Sequence, residues 1–168
     1  IKAVVETGTF KGNTAGFFGA AFDLVHTIEI APDFYRESKA NLMQFSNVQC
    51  HFGSSPVVMR QILPELSNQP VIFYLDAHWY TDWPLLDELT EISKTHKNNC
   101  VVVIDDFKVP GRSDIPYDCS PTDEYAFEYV QRHLNRIFTD GYSVHYLIPK
   151  DVNSRAKFVA MPKKWSSK

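Results

Sequence analysis

Ala3-Val4-Val5-Glu6-Thr7-Gly8-Thr9-Phe10-Lys11-Gly12-Asn13-Thr14 is a short apolar run that ends in a carboxylate, turns through glycine and opens into a small, aromatic segment. The same pattern of an apolar run closed by an acid recurs at Val25-His26-Thr27-Ile28-Glu29, at Val71-Ile72-Phe73-Tyr74-Leu75-Asp76 and at Val101-Val102-Val103-Ile104-Asp105-Asp106. Buried strands of an open α/β sheet are continuous apolar runs because both faces are covered. Ligands of such sheets bind in the crevice beyond the carboxyl ends of the strands. The acids therefore mark one edge of one sheet. Desolvating several carboxylates close together is costly unless hydroxyls, amines or a metal compensate them, so this edge is expected to be a site.

Outward from these runs, strand and helix signals alternate. Thr14 to Leu24 suits a packed helix, and Pro32 fits the first turn of a second, Asp33 to Phe45, with Tyr35, Leu42 and Phe45 among its apolar positions. Val48 to Phe52 is a third strand. Gly53-Ser54-Ser55-Pro56 then combines a turn, a cap and a first-turn proline before a helix spaced by Val58, Ile62 and Leu66. A helix from about Trp83 to His96 buries Leu85, Leu86, Leu89 and Ile92. Cys100 to Ile104 is the fifth strand. Phe107 to Thr122 carries Pro110, Gly111, Pro116 and Pro121 and reads as a loop beyond the acidic edge. Phe127, Val130, Leu134 and Ile137 stripe a last helix. Tyr142 to Ile148 and Lys157 to Met161 are two final strands joined by a short polar turn, hence an antiparallel pair. The expected fold is α/β, a doubly wound, mostly parallel seven-stranded sheet with a C-terminal antiparallel hairpin.

With 168 residues, 44% of them hydrophobic, the chain has the length of one domain and can bury a substantial core. The formal net charge is −3, and Lys and Arg are scattered except for Lys163, Lys164 and Lys168. No basic stripe tracks a phosphate backbone, so nucleic acid is not expected as a partner. Cys50, Cys100 and Cys119 are odd in number and form no CxxC or Cys/His pattern, which fits a reducing, cytoplasmic setting. No apolar stretch approaches the roughly 20 residues of a membrane span, and no membrane partner is expected. The chain begins with Ile1 and reaches its first strand almost at once, so an upstream segment is expected. An aromatic content of 14% serves a core or a homodimer interface equally, and the oligomeric state stays open.

The chemistry concentrates at the strand ends. Gly8 and Gly12 permit close backbone approach, and the helix that follows offers free N–H groups to an anion. The turn is neither a GxGxxG fingerprint nor a P-loop, and by itself it is equally a tight turn. Glu29 ends the second strand about 20 residues after Gly8, the separation at which an acid meets ribose hydroxyls in nucleotide-binding units. Ser54 and Ser55 follow the third strand, where hydroxyls can meet an adenine amine or simply cap a helix. Asp76, Asp105 and Asp106 form an oxygen-rich trio suited to Mg²⁺. Alternatively, they cap the segments that follow. His78 is either a further ligand or a packed residue beside Trp79.

The ordered set Val5-Glu6-Thr7-Gly8, Thr27-Ile28-Glu29-Ile30-Ala31-Pro32, Gly53-Ser54-Ser55, Tyr74-Leu75-Asp76-Ala77-His78-Trp79 and Val103-Ile104-Asp105-Asp106 resembles class I S-adenosylmethionine-dependent methyltransferases. More narrowly, it resembles the Mg²⁺-dependent catechol and caffeoyl-CoA type O-methyltransferases and their bacterial sugar and antibiotic relatives. The resemblance covers nearly the whole chain and implies one Rossmann-like methyltransferase domain over residues 1–168. It implies that Glu6, Gly8, Thr9 and Gly12 line the methionine end of S-adenosylmethionine, with Thr14 near the carboxylate. Glu29 would hold the ribose, Ile30 would lie against the adenine, and Ser54, Ser55, His78 and Trp79 would surround its edge. Asp76, Asp105 and Asp106 would bind Mg²⁺ or another divalent cation, and Asp76 would also border the cofactor. The implied reaction is methyl transfer to a hydroxyl of a catechol- or sugar-like small molecule.

Two departures stand out. Catechol-type members carry a lysine base just after the His-Trp pair, whereas Tyr80 stands there and Ala77 is an extra residue between Asp76 and His78. The catalytic candidates are therefore Asp76, Tyr80 and Lys108, the lysine that follows the Asp pair. The family's helices before the first strand are also absent from these residues. A cofactor-binding module without turnover is the alternative from another class. A nicotinamide dehydrogenase is disfavoured, because the turn lacks the third glycine and such an enzyme has no use for clustered Asp residues.

Overall fold

The computed structural model describes residues 1–78, 83–119, 122–150 and 154–166. Among them, β1 (Ala3–Thr7), β2 (Leu24–Glu29), β3 (Val48–Phe52), β4 (Val71–Leu75), β5 (Cys100–Ile104), β6 (Tyr142–Leu147) and β7 (Lys157–Pro162) form one sheet in the order β3-β2-β1-β4-β5-β7-β6. Strands β1 to β5 pair in parallel, and β7 runs antiparallel to both β5 and β6. The connectivity reverses direction between β1 and β4. That switch point opens a crevice at the carboxyl ends of the strands.

Among the described residues five α-helices cross between the strands: α1 (Asn13–Ala21), α2 (Pro32–Asn41), α3 (Ser55–Leu66), α4 (Leu85–Thr95) and α5 (Phe127–Ile137). Side chains alternate across a strand, and β4 shows what each face meets. Phe73 packs edge-to-face on His96, just after α4, at 5.1 Å, whereas Tyr74 packs on Phe18 of α1 at 5.4 Å. Helices therefore cover both faces, and all five residues of β1 are buried. The α5 stripe of Val130, Leu134 and Ile137 is fully buried against this core, where truncating one Leu to Ala costs about 3 kcal/mol.

Helix ends depart from the sequence spacing, which predicts 14–24, 33–45 and 83–96. The first stops at Ala21 because the amides of Asp23 and Leu24 turn to the Lys2 carbonyl and lead into β2. The second stops at Asn41, and Phe45 closes a turn onto the Leu42 carbonyl at 3.0 Å. The third begins at Leu85, after Pro84. Gly8 has φ +80, and a Cβ there would strike the carbonyl oxygen of Asp76. Glycine is what lets the turn after β1 lie against the end of β4.

Candidate functional site

A cleft of about 510 Å³ opens at the carboxyl ends of the parallel strands. One end is built around Glu29, buried at the end of β2. Its Oε2 accepts the Phe10 N–H and its Oε1 the Ala31 N–H, each at 2.8 Å. These bonds fix the carboxylate and hold Phe10 in left-handed backbone, φ +50, which non-glycine residues adopt only under constraint. The Phe10 ring meets Phe34 edge-to-face at 4.5 Å, and both line the cleft with Ile30 and Ser54. Below them Glu6 is buried, and Thr27 donates to its Oε2 at 2.5 Å while sharing a 2.5 Å bond with Thr9. Burial pushes the Glu6 carboxyl up to about 8, opposed by the Thr27 bond and assisted by the charge of Glu29. Glu6 is thus a neutral prop at neutral pH rather than an acceptor facing the cleft.

The other end holds Asp76, His78 and Asp106, all lining the cleft. Each offers a ligand atom, and these atoms lie within 4.8 Å of one another. Burial, and then the charges of Asp105 and Asp106, push the Asp76 carboxyl up to about 8. Two carboxylates and an imidazole fit a divalent cation, Mg²⁺ through the oxygens and Mn²⁺ or Zn²⁺ through the added nitrogen. Asp105, expected from sequence in this trio, is engaged elsewhere. Lys157 Nζ reaches both of its oxygens at 2.6 Å, the Tyr74 hydroxyl donates to it, and the Asp106 N–H donates at 2.8 Å. Burial and that bond push the Tyr74 phenol far up, so it remains a donor. Asp106 adopts φ +55 and accepts Arg155 at 2.6 Å, and the same nitrogen of Arg155 also bonds Asp118. Asp118 in turn faces His78 Nε2 at 3.4 Å.

Of the residues the sequence singles out, Gly8, Glu29, Ile30, Ser54, Ser55, Asp76, His78 and Asp106 come together around the cleft. Ser55 gives its hydroxyl to the buried Glu88. Glu6 and Thr9 lie beneath the cleft floor, Gly12 packs on Leu42, and Thr14 is half-buried in the first turn of α1. Lys108 is not brought to the cleft: it pairs with Glu124 and lies over the Tyr117 ring at 5.0 Å, beside a separate depression. Trp79 and Tyr80 fall outside the described residues. Sequence reasoning missed Arg155, Lys157 and Asp118. Pairing β7 antiparallel with β5 would have placed Arg155 and Lys157 at the acidic edge, since Phe158 registers with Ile104.

A mostly parallel Rossmann-like sheet with a reversed last strand, and a cleft closed by Glu29 at one end and by Asp76 at the other, define the class to which solved structures can be compared. No family model matches the chain, and no curated protein matches it. Among solved structures it is similar to the O-methyltransferase TomG of Streptomyces achromogenes, involved in tomaymycin synthesis and bound to S-adenosylmethionine. That likeness has 18% identity and a TM-score of 0.68 over 96% of this chain and 73% of the other. An O-methyltransferase from Bacillus cereus in complex with S-adenosylhomocysteine matches at 16% identity and TM-score 0.68, over 96% and 74%. An rRNA methylase from Streptococcus thermophilus matches at 10% identity and TM-score 0.57, over 96% and 86%. The chain has the Rossmann-like methyltransferase fold. That fold serves small-molecule and RNA methylation alike, so it does not by itself support the expected exclusion of nucleic acid. No helix among the described residues is long and apolar enough to cross a membrane.

Proposed function

We propose that the protein is an S-adenosylmethionine-dependent methyltransferase acting on a hydroxyl oxygen of a small molecule, with a divalent cation held by Asp76, His78 and Asp106. The observation that carries this reading is one cleft divided between a fixed carboxylate at Glu29 and a ligand group at Asp76. When bound, S-adenosylmethionine supplies a methyl group on a sulfonium, and a divalent cation supplies charge that favours the ionised acceptor hydroxyl. The chain's part is positioning. Glu29 spends one lone pair per oxygen on the backbone and keeps the others for vicinal ribose hydroxyls. Phe10, Phe34 and Ile30 give the flat base apolar walls, and Ser54 offers a hydroxyl at its edge. Asp76, His78 and Asp106 hold the cation at the opposite end, so an acceptor with two vicinal oxygens is aligned toward the methyl donor.

The small-molecule acceptor rests on the net charge of −3 and the lack of a basic stripe in the sequence. The three cysteines are free, in keeping with a cytoplasmic setting. The displacement of Lys108 favours a second reading, a cofactor-binding module without turnover. Calorimetry with S-adenosylhomocysteine, followed by methyl transfer to catechols and sugar diols with and without Mg²⁺, separates the two. Binding with cation-dependent transfer supports the enzyme, binding without transfer supports the module, and no binding refutes both.

A further inference from the structure

We infer that Arg155 is a displaceable internal counter-ion, holding Asp106 until a divalent cation binds and then passing to Asp118. The inference rests on the cation site proposed above and concerns how this chain's own charges share it. One guanidinium nitrogen, Nη1, bonds Asp106 Oδ2 at 2.6 Å and Asp118 as well, so Arg155 stands between two acceptors rather than belonging to one. Asp106 also offers an oxygen to the group it forms with Asp76 and His78. A dication coordinated there repels a guanidinium on the same carboxylate. Asp118 is fixed to receive it: its N–H donates to the Asp106 carbonyl at 2.9 Å, and its own carbonyl accepts the Tyr125 N–H at 3.0 Å.

Asp105 shows the contrast. Its two oxygens are both held by Lys157, with Tyr74 and the Asp106 amide completing its shell, so this acid and its cation form a closed pair. Arg155 has no such closure. Its side chain is 40% exposed, free to swing, and its charge is permanent across the working pH range. The result is competition between a chain cation and a bound one for a single carboxylate.

The test is Mn²⁺ titration by calorimetry, with free Mn²⁺ read by electron paramagnetic resonance, on the whole chain. Arg155→Gln should bind Mn²⁺ about three- to fivefold more tightly, the span set by an ion pair of this exposure. Asp118→Asn, which keeps an acceptor oxygen but leaves Asp106 as the one carboxylate pairing with the guanidinium, should bind it more weakly by a similar factor. Both variants should keep wild-type affinity for S-adenosylhomocysteine, since the Glu29 end is untouched. Equal or weaker Mn²⁺ binding by folded Arg155→Gln, or unchanged binding by Asp118→Asn, overturns the inference. Absence of Mn²⁺ binding in every form overturns it together with the proposed cation, whereas the S-adenosylhomocysteine titration decides the methyltransferase reading independently.

Discussion

Glu29 is the residue on which structure and ligand binding should fail together, and the size of each failure can be worked out. Its two oxygens each accept one backbone N–H at 2.8 Å, from the part-buried Phe10 amide and from the buried Ala31 amide. Glu29→Gln keeps one acceptor and turns an amide NH₂ toward the other donor. One charge-assisted bond is lost and a donor is left facing a donor, a loss of about 2 kcal/mol. For a domain of this length that is a fall of about 4–8 °C in melting temperature. Release of the Phe10 amide also frees a residue held at φ +50, so the turn should relax. If ribose hydroxyls bind the carboxylate, the affinity loss adds about 1.5–3 kcal/mol, or roughly 10- to 150-fold in S-adenosylhomocysteine affinity. Scanning calorimetry of the apo chain and isothermal titration of the ligand read the two effects separately. A Glu29→Gln protein that melts lower yet binds S-adenosylhomocysteine within twofold of wild type would refute the ribose role. One that melts like wild type would refute the account of the turn.

Gly8→Ala should lower stability by about 2–4 kcal/mol, from left-handed strain at φ +80 plus displacement of the Asp76 carbonyl, and a urea midpoint unchanged from wild type would contradict it. His26 shares a 2.9 Å bond with His51 under the sheet, and burial, then the His51 charge, hold it down to about 4 from 6.5. A folded pKa below the unfolded one means stability is full above pH 6.5 and falls as pH drops toward 4. His26→Leu should therefore lose about 3 kcal/mol less than wild type across that window in urea titrations. Glu6 has the opposite sign, because its folded pKa of about 8 lies above the unfolded 4.5. Its contribution declines as pH rises from 4.5 to 8, at about 1.4 kcal/mol per pH unit at most, so the difference in stability between wild type and Glu6→Gln should change with pH in that interval.

The parallel half of the sheet is legible because its inner strands must be continuous apolar runs, and Cys100–Ile104 runs as the sequence predicts; Val48–Phe52, a part-exposed edge strand, also keeps its predicted bounds. Helix ends are less so, since tertiary bonds such as those to the Lys2 carbonyl decide where α1 stops. Glu29 is readable from its distance to Gly8, a local property of one βαβ unit. Lys157 is not, because its meaning lies in a partner 52 residues away that only the antiparallel pairing of β7 reveals. Asp118 sits in a proline-punctuated loop with no periodicity to place it, although that loop was expected to lie beyond the acidic edge. Lys108 misleads for the complementary reason: adjacency in sequence to Asp106 puts it on a backbone that has already turned away to Glu124.

The acids that begin as one feature of the sequence are neutralised by three different physical means. Glu29 is held by backbone N–H groups and Glu6 by burial that keeps its proton, so neither needs a counter-charge from the chain. Asp105 is closed by Lys157 and a phenol. Arg155 is divided between Asp106 and Asp118, and among the described residues Asp76 forms no ion pair at all. Around these four acids the chain supplies two cations, and the least compensated oxygens lie on the cleft side, at Asp76, whose carboxyl burial and neighbouring charge hold up to about 8, and at Asp106, which shares Arg155. A divalent cation bound there would displace the Asp76 proton and supply the positive charge that the chain itself does not bring to this side. The same imbalance makes the cation end adaptable where the Glu29 end is rigid, because moving Arg155 by one bond changes which carboxylate is free.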